Sequence, residues 1–212
     1  MSSSDFRNRL IDRAFKTGLV LPDSLVARLS AYYELLARWN RTINLTSLHD
    51  PDASIDRLLL EPIIAVRHFP SETVRMMDVG SGGGSPAIPM KLAAPGASLM
   101  MIEAKSRKSA FLREAIRTLE LTSSSVETSR YERLLTRPEL LGAFDLLSIR
   151  AVRLDERTIS ALQAFIRPGG LMFLFRGPGA IEDGEVVPPM SLDREVLLVP
   201  ALQSQLRILR KC

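Results

Sequence analysis

The stretch Val74-Arg75-Met76-Met77-Asp78-Val79-Gly80-Ser81-Gly82-Gly83-Gly84-Ser85-Pro86 decides how the chain folds. Residues 74–79 read as a strand. Gly80, Gly82 and Gly84 then let the backbone turn sharply and approach a ligand where a β-carbon would collide with it. A helix opening near Ser85-Pro86 would aim its N-terminal amides back at the turn and favour a carboxylate there. Asp78 is placed to neutralise an ammonium group. Strand, glycine turn and helix together suit a nucleotide-like cofactor with an amino-acid tail.

Downstream, short apolar runs at 98–102, 125–127, 144–149 and 171–175 alternate with helical patterns at 86–94, 106–120 and 155–166. That alternation predicts βαβ units and a mostly parallel sheet. Glu103 closes the second strand, about 20 residues past the turn, where an acid commonly accepts hydrogen bonds from ribose hydroxyls. After Pro188-Pro189, extended segments at 194–199 and 206–209 predict an antiparallel pair at a sheet edge. The expected fold is α/β: a Rossmann-like, doubly wound, mostly parallel seven-stranded sheet of the class I methyltransferase kind, with an antiparallel edge pair. Gly82, Gly84 and Ala87 also satisfy the G-x-G-x-x-A spacing, so a dinucleotide-dependent oxidoreductase is the rival. Asp78, Asp145 at the start of the fourth strand, and the terminal strand pair favour the methyltransferase arrangement.

Upstream of the turn the pattern is helical. Residues 5–17 place Phe6, Leu10, Ile11, Ala14 and Phe15 on one face, and Gly18 ends that helix. A second amphipathic run from Pro22-Asp23-Ser24 carries Leu25, Leu29, Tyr32, Leu36 and Trp39. A third helix opens at Asp50-Pro51. The boundary falls near 70, giving an N-terminal helical segment, 1–70, and a cofactor-binding domain, 71–212.

The 212 residues, 46% hydrophobic and 25% charged, suffice for a packed core. The single cysteine, Cys212, excludes an intrachain disulfide and a cysteine-based metal cluster, and His49 and His68 lack metal-ligand spacing, so no metal is expected. Nothing approaches the ~20 apolar residues of a membrane span, which predicts a cytoplasmic protein. A net charge of +4, largely arginine, favours phosphate-bearing partners, although a solvated basic surface reads equally well.

The run Trp39-Asn40-Arg41-Thr42-Ile43-Asn44-Leu45-Thr46 resembles a signature of the bacterial glucose-inhibited division protein B family, small-subunit ribosomal RNA guanine-N7 methyltransferases. The likeness continues through Asp78 to Pro89, Lys108 to Glu114, Arg130-Tyr131-Glu132, Ser148-Ile149-Arg150-Ala151 and Arg167-Pro168-Gly169-Gly170. It implies S-adenosylmethionine as cofactor, contacted by Gly80, Ser85, Tyr131, Glu132 and Arg150 with Glu103 facing the ribose, and 16S ribosomal RNA or the small ribosomal subunit as partner of a monomeric enzyme. Asp78, Gly82 and Gly84 complete the cofactor set, and Asn44, Thr46, Arg41 and Arg176 are the candidates for the substrate side.

Three departures from the family pattern stand out. Arg57-Leu58-Leu59-Leu60-Glu61-Pro62 replaces a usual His-x-x-Asp-Ser pattern, Ser85 and Ala87 alter the end of the glycine turn, and Arg176 stands for a lysine before Gly177. Guanine N7 has a lone pair and no proton to lose, so no general base is required; Arg150 and Arg176 are expected to orient cofactor or phosphate. RNA-facing cations are sought among Arg7, Arg9, Arg13, Arg38, Arg41, Lys105, Arg107 and Lys108. A cofactor-binding ribosome-assembly or RNA-binding protein without transfer activity, and a small-molecule methyltransferase, are the alternatives.

Overall fold

The computed structural model describes residues 3–47, 50–70, 74–150, 155–177 and 186–212. Helices α1 (Ser3–Lys16) and α2 (Asp23–Asn40) open the chain. A third helical stretch runs as α3 (Pro51–Ile55), a π-helical turn at Asp56–Leu60, and α4 (Glu61–Val66). Asp50 caps it, its side chain accepting from the amide of Ala53 at 2.7 Å, with Pro51 in the first turn, where a missing N–H costs nothing. Next in the chain come β1 (Arg75–Val79), α5 (Ala87–Ala93), β2 (Ser98–Ile102), α6 (Ser106–Thr118), β3 (Ser124–Glu127), α7 (Tyr131–Leu134), β4 (Phe144–Arg150), α8 (Glu156–Leu162), β5 (Ile166–Arg176), β6 (Met190–Leu197) and β7 (Gln205–Lys211).

The strand order is β3-β2-β1-β4-β5-β7-β6. Strands β1 to β5 pair in parallel, and β7 runs antiparallel between β5 and β6. The chain winds outward from β1 through β2 to β3, then returns to lay β4 on the other side of β1. This reversal opens a crevice beyond the carboxyl ends of β1 and β4, where the glycine turn and Arg150 lie.

Both faces of the central strands are covered, so each strand is apolar throughout while its side chains still alternate between two cores. Met76, Leu146, Phe173 and Phe175 pack with the N-terminal helices through Leu10, Leu36 and Leu59. Met77, Val79, Leu147, Ile149 and Leu174 pack with Phe165 and Leu162 on the opposite face. By the same parity, Asp78, its β4 neighbour Ser148 and Arg150 share the face covered by the N-terminal helices.

Two expectations are corrected. Helix α1 buries Phe6, Leu10 and Ala14 but leaves Ile11 and Phe15 exposed, because it has partners on one side only: Phe6 stacks on Tyr33 of α2, ring centroids 4.3 Å apart. Strand β5 begins at Ile166, since Arg167-Pro168-Gly169-Gly170 enters the sheet through an irregularity beside β4. Asp145 stands at the start of β4, as expected, and serves there as a structural clasp at the far end of the sheet. It accepts from the amide of Arg75 at 2.7 Å and from Nε of Arg167 at 2.5 Å.

Arg13 ties α1 to the π turn by a two-point pair with Asp56, its Nε donating to Oδ1 at 2.9 Å and Nη2 to Oδ2. Arg9 pairs with Asp52 at 3.1 Å. Both side chains read above as RNA-facing thus have carboxylate partners inside the fold. Asp56 is fully buried, so truncating Arg13 leaves an uncompensated interior charge. Arg13→Ala is expected to lower the free energy of unfolding by about 3 kcal/mol in urea titration, and Asp56→Asn on that background to recover part of it; equal stability of Arg13→Ala and wild type would contradict this account.

Candidate functional site

The three glycines of the turn do different work. Gly80, Gly82 and Gly84 all have positive φ, at 75°, 49° and 86°. A β-carbon on Gly84 would lie 2.5 Å from Cδ1 of Ile88, so this glycine lets α5 pack against the turn and does not serve ligand approach. Around Gly82 an added β-carbon meets nothing nearer than 3.7 Å, and there the conformation itself is the demand. Gly83 carries the support from α2: its carbonyl accepts from the hydroxyl of Tyr32 at 2.6 Å, and Leu36 packs on its α-carbon. Tyr32 is fully buried, and burial pushes its pKa up, so it stays a neutral donor.

Two carboxylates hold the floor. Glu103 accepts from the amide of Gly82 at 2.9 Å through one oxygen and from the amide of Lys105 at 2.8 Å through the other, bridging the end of β2 to the turn. Asp78, 1% exposed, accepts from the Ser148 hydroxyl at 2.5 Å, and its Oδ2 has no hydrogen-bond partner. Burial pushes its pKa up to about 6, opposed by the Ser148 hydrogen bond and the positive charge of Arg150.

Arg150 is held by a proline. Pro62 has no N–H, so the carbonyls that it would have satisfied, those of Leu58 in α-helical register and Arg57 in π register, are released. Both are taken up by the site: the carbonyl of Leu58 accepts from the Ser85 hydroxyl at 2.9 Å and that of Arg57 from Nη1 of Arg150 at 2.7 Å. The same Nη1 pairs with Glu61 at 2.7 Å, and the guanidinium lies over Phe175, 4.5 Å from the ring centroid. Nε and Nη2 of Arg150 and Oε1 of Glu61 are buried without partners.

Between the turn and the N-terminal helices lies a cleft of about 550 Å³, lined by residues 44–47, by Arg57 and Leu58, by Gly80 to Gly83, and by Leu36, Ser85, Lys108 and Arg150. Among the sequence candidates, the structure therefore brings together Gly80, Gly82, Ser85, Arg150, Asn44, Thr46 and Lys108. Asp78 and Glu103 lie one layer below, against Ser148 and the Gly82 amide. Tyr131 and Glu132 open α7, Arg41 follows α2 and Arg176 ends β5, all outside the cleft lining. Ala151 and His49 fall outside the described residues. Trp39 packs edge-on to Phe111, centroids 5.9 Å apart, in the structural role expected of it.

Sequence reasoning missed Asn40, Tyr32 and Pro62. The Asn40 side chain folds the cleft wall, accepting from the amides of Leu45 and Thr46 at 2.8 and 3.0 Å and donating to the carbonyl of Thr46 at 3.1 Å. An asparagine ending a helix before a short polar loop is a recognisable signal for such back-bonding.

A family model described as rRNA small subunit methyltransferase G matches residues 25–190. Ribosomal RNA small subunit methyltransferase G of Stenotrophomonas maltophilia (strain K279a) is 34% identical over 187 residues, covering 87% of this chain and 85% of that protein. Among solved structures, yhhF of Escherichia coli, described as a methyltransferase, superposes with a TM-score of 0.58 at 16% identity, over 80% of this chain and 90% of that one. The [4+2]-cyclase SpnF superposes with a TM-score of 0.59 at 15% identity, over 91% and 97% of the two chains. At such identities the structural likeness speaks for the fold alone.

This geometry sets two expected outcomes. Because the folded pKa of Asp78 is raised above its ordinary 3.8, its charged form is penalised in the fold. The penalty is absent below about pH 4, grows between there and about pH 6, and is constant above. Asp78→Asn should therefore be more stable than wild type by roughly 3 kcal/mol at pH 8, with the gap closing in acid; urea titrations at pH 8 and in acid check this. Pro62→Ala restores an N–H that competes for the carbonyls of Arg57 and Leu58. It should raise unfolding free energy by about 1 kcal/mol while weakening S-adenosylmethionine binding about fivefold by calorimetry, whereas a purely structural proline would move both the same way.

Proposed function

Since the chain belongs to the small-subunit ribosomal RNA methyltransferase G family, we propose that it transfers the methyl group of S-adenosylmethionine to N7 of a guanine in 16S ribosomal RNA. The observation that carries the reading is the glycine turn at the switch point, joined to Glu103 through the Gly82 amide and fronted by the cleft. Bound there, the cofactor supplies an electrophilic methyl group on a sulfonium.

The residues suit such a zwitterion. Asp78 presents an unpartnered Oδ2 that matches an ammonium, and Arg150 presents unpartnered Nε and Nη2 groups that match a carboxylate. Glu103, already accepting two amides, has remaining lone pairs for ribose hydroxyls. Gly80 and Gly82 keep the turn open, and Ser85 is anchored to the carbonyl of Leu58. Tyr131 and Glu132, which follow β3, are assigned to the adenosine side; Asn44 and Thr46 line the cleft on the side assigned to the nucleotide, and Arg41 and Arg176, outside the lining, are assigned to the RNA beyond it.

Guanine N7 attacks with its own lone pair, so the protein's task is alignment and exclusion of water rather than proton removal. Leu36, Leu45 and Leu58 give the cleft apolar walls, and holding N7 and the methyl carbon roughly 3 Å apart in line supplies the rate. Because N7 carries no proton, no residue needs to change protonation as the methyl group passes. The enzyme acts as a monomer in the cytoplasm; among the described residues no helix is long and apolar enough to cross a membrane.

The deciding experiment offers radiolabelled S-adenosylmethionine and the purified protein to small ribosomal subunits, free 16S RNA and a set of small metabolites, and maps the label. Label on one guanine, cleavable by borohydride and aniline as N7-methylguanine is, is the expected result. Cofactor binding without transfer to any of them would assign the chain to ribosome assembly, and failure to bind the cofactor would remove the proposal.

A further inference from the structure

Arg57 stands where the family pattern has histidine, and its surroundings are arranged for a charge. It lines the cleft, and none of the described carboxylates pairs with it: the nearby acid, Glu61, is bonded to Arg150. Its backbone is fixed through the carbonyl that accepts from Arg150. Its guanidinium lies across the end of β5 on Gly177, where an added β-carbon would sit 2.2 Å from Nη2. Gly177 has no positive φ, so the missing side chain there is room for the arginine and not a demand of the backbone. Lys108 lines the opposite rim, its Nζ 3.9 Å from the place of a β-carbon on Gly82. The cleft thus gathers Arg57, Lys108 and Arg150; its acids Asp78, Glu103 and Glu61 are engaged by Ser148, by backbone amides and by Arg150, so the Arg57 guanidinium has no described carboxylate and is placed to meet an anion.

Position separates this anion from the cofactor. Glu103 ends β2, whereas Arg57 is seated at the end of β5, three strands away across β1 and β4. At about 4.8 Å per strand the two lie on the order of 14 Å apart across the sheet. Glu103 and Asp78 claim the ribose and ammonium over β2 and β1, and Arg150 claims the carboxylate over β4. Over β5 the reacting nucleotide approaches, and a phosphate is the anion that it brings.

Resting on the function proposed above, we infer that Arg57, seated on Gly177, is the ligand for a backbone phosphate of the RNA nucleotide presented to the methyl group. A planar, permanently charged fork suits two phosphate oxygens, and the histidine it replaces would be largely neutral at pH 7. The pair Arg57 and Gly177 then sets substrate class: a nucleotide within an RNA strand, in preference to a free base or nucleoside.

The test uses the whole protein saturated with S-adenosylmethionine, a full-length 16S RNA transcript and small subunits, with RNA affinity measured by filter binding across a range of KCl. Arg57→Gln should weaken RNA binding about fivefold at low salt and flatten the salt dependence by about 0.7 in log–log slope, the value of one single-strand phosphate contact. Arg57→Lys should keep the slope. Gly177→Ala, which retains the charge but occupies its seat, should weaken RNA binding without flattening the slope as far. Cofactor affinity by calorimetry should stay within twofold in all three. A loss of cofactor affinity with an unchanged RNA slope would make Arg57 a cofactor ligand and overturn the inference, as would no change in either. If wild type neither binds RNA in a salt-dependent way nor methylates it, the proposed function fails and takes this inference with it. Wild-type transfer with an unaltered slope in Arg57→Gln overturns the phosphate role alone.

Discussion

The hydrogen bond from the Gly82 amide to Glu103, 2.9 Å long, is the constraint around which the site is assembled. Three positive-φ residues in a short turn cost conformational freedom, and their backbone groups must find partners away from regular pairing. Glu103 supplies one partner and Tyr32, through the carbonyl of Gly83, another. The turn is thereby fixed at once to β2 and to α2. Any ligand that lies on it meets a surface already paid for in folding, which is the condition for tight binding of a small cofactor.

This attachment explains why the N-terminal helices cannot be treated as an appendage. They share one hydrophobic core with the sheet, Leu10 and Leu36 with Met76 and Phe173. Leu36 lines the cleft, Asn40 folds its outer wall, and Pro62 releases the carbonyls that hold Ser85 and Arg150. The sheet contributes the floor, with its buried acids, and the helices contribute the walls.

Much of this was legible from the residues because local rules governed it. Runs of buried strand residues, the glycines at 80, 82 and 84 and the Asp50-Pro51 cap act within a few positions of themselves, and their elements formed where expected. What escaped depended on distant partners. Tyr32 sits in an amphipathic stripe like any core residue, and its bond to Gly83 spans 51 positions. Arg13 resembled a solvated helix cation until Asp56, 43 positions on, was placed beside it. Pro62 was visible as a helix breaker, but which groups would use the freed carbonyls was set by β4 and the glycine turn. Asn40 carries a local signal, an asparagine ending a helix, but its partners at Leu45 and Thr46 are set by how the following loop folds back.

The altered pattern at 57–61 has a geometric reading of its own. Where the family pattern has an acid, this chain has Leu60, fully buried, and the acid stands one residue later, at Glu61. In an uninterrupted α-helix that shift would swing the carboxylate by about 100°, away from its partner. The π turn at Asp56–Leu60 takes one extra residue into a single turn, so the residues beyond it are carried back by about the same angle. Glu61 thus faces Arg150 from the direction that residue 60 would have occupied, at 2.7 Å. Arginine at 57 makes this acid more necessary, because two guanidiniums now stand close together and one must be neutralised. Arg57, Glu61 and Pro62 are therefore one coupled change: the proline and the π turn place the acid, the acid holds Arg150, and Arg57 keeps its charge for the cleft.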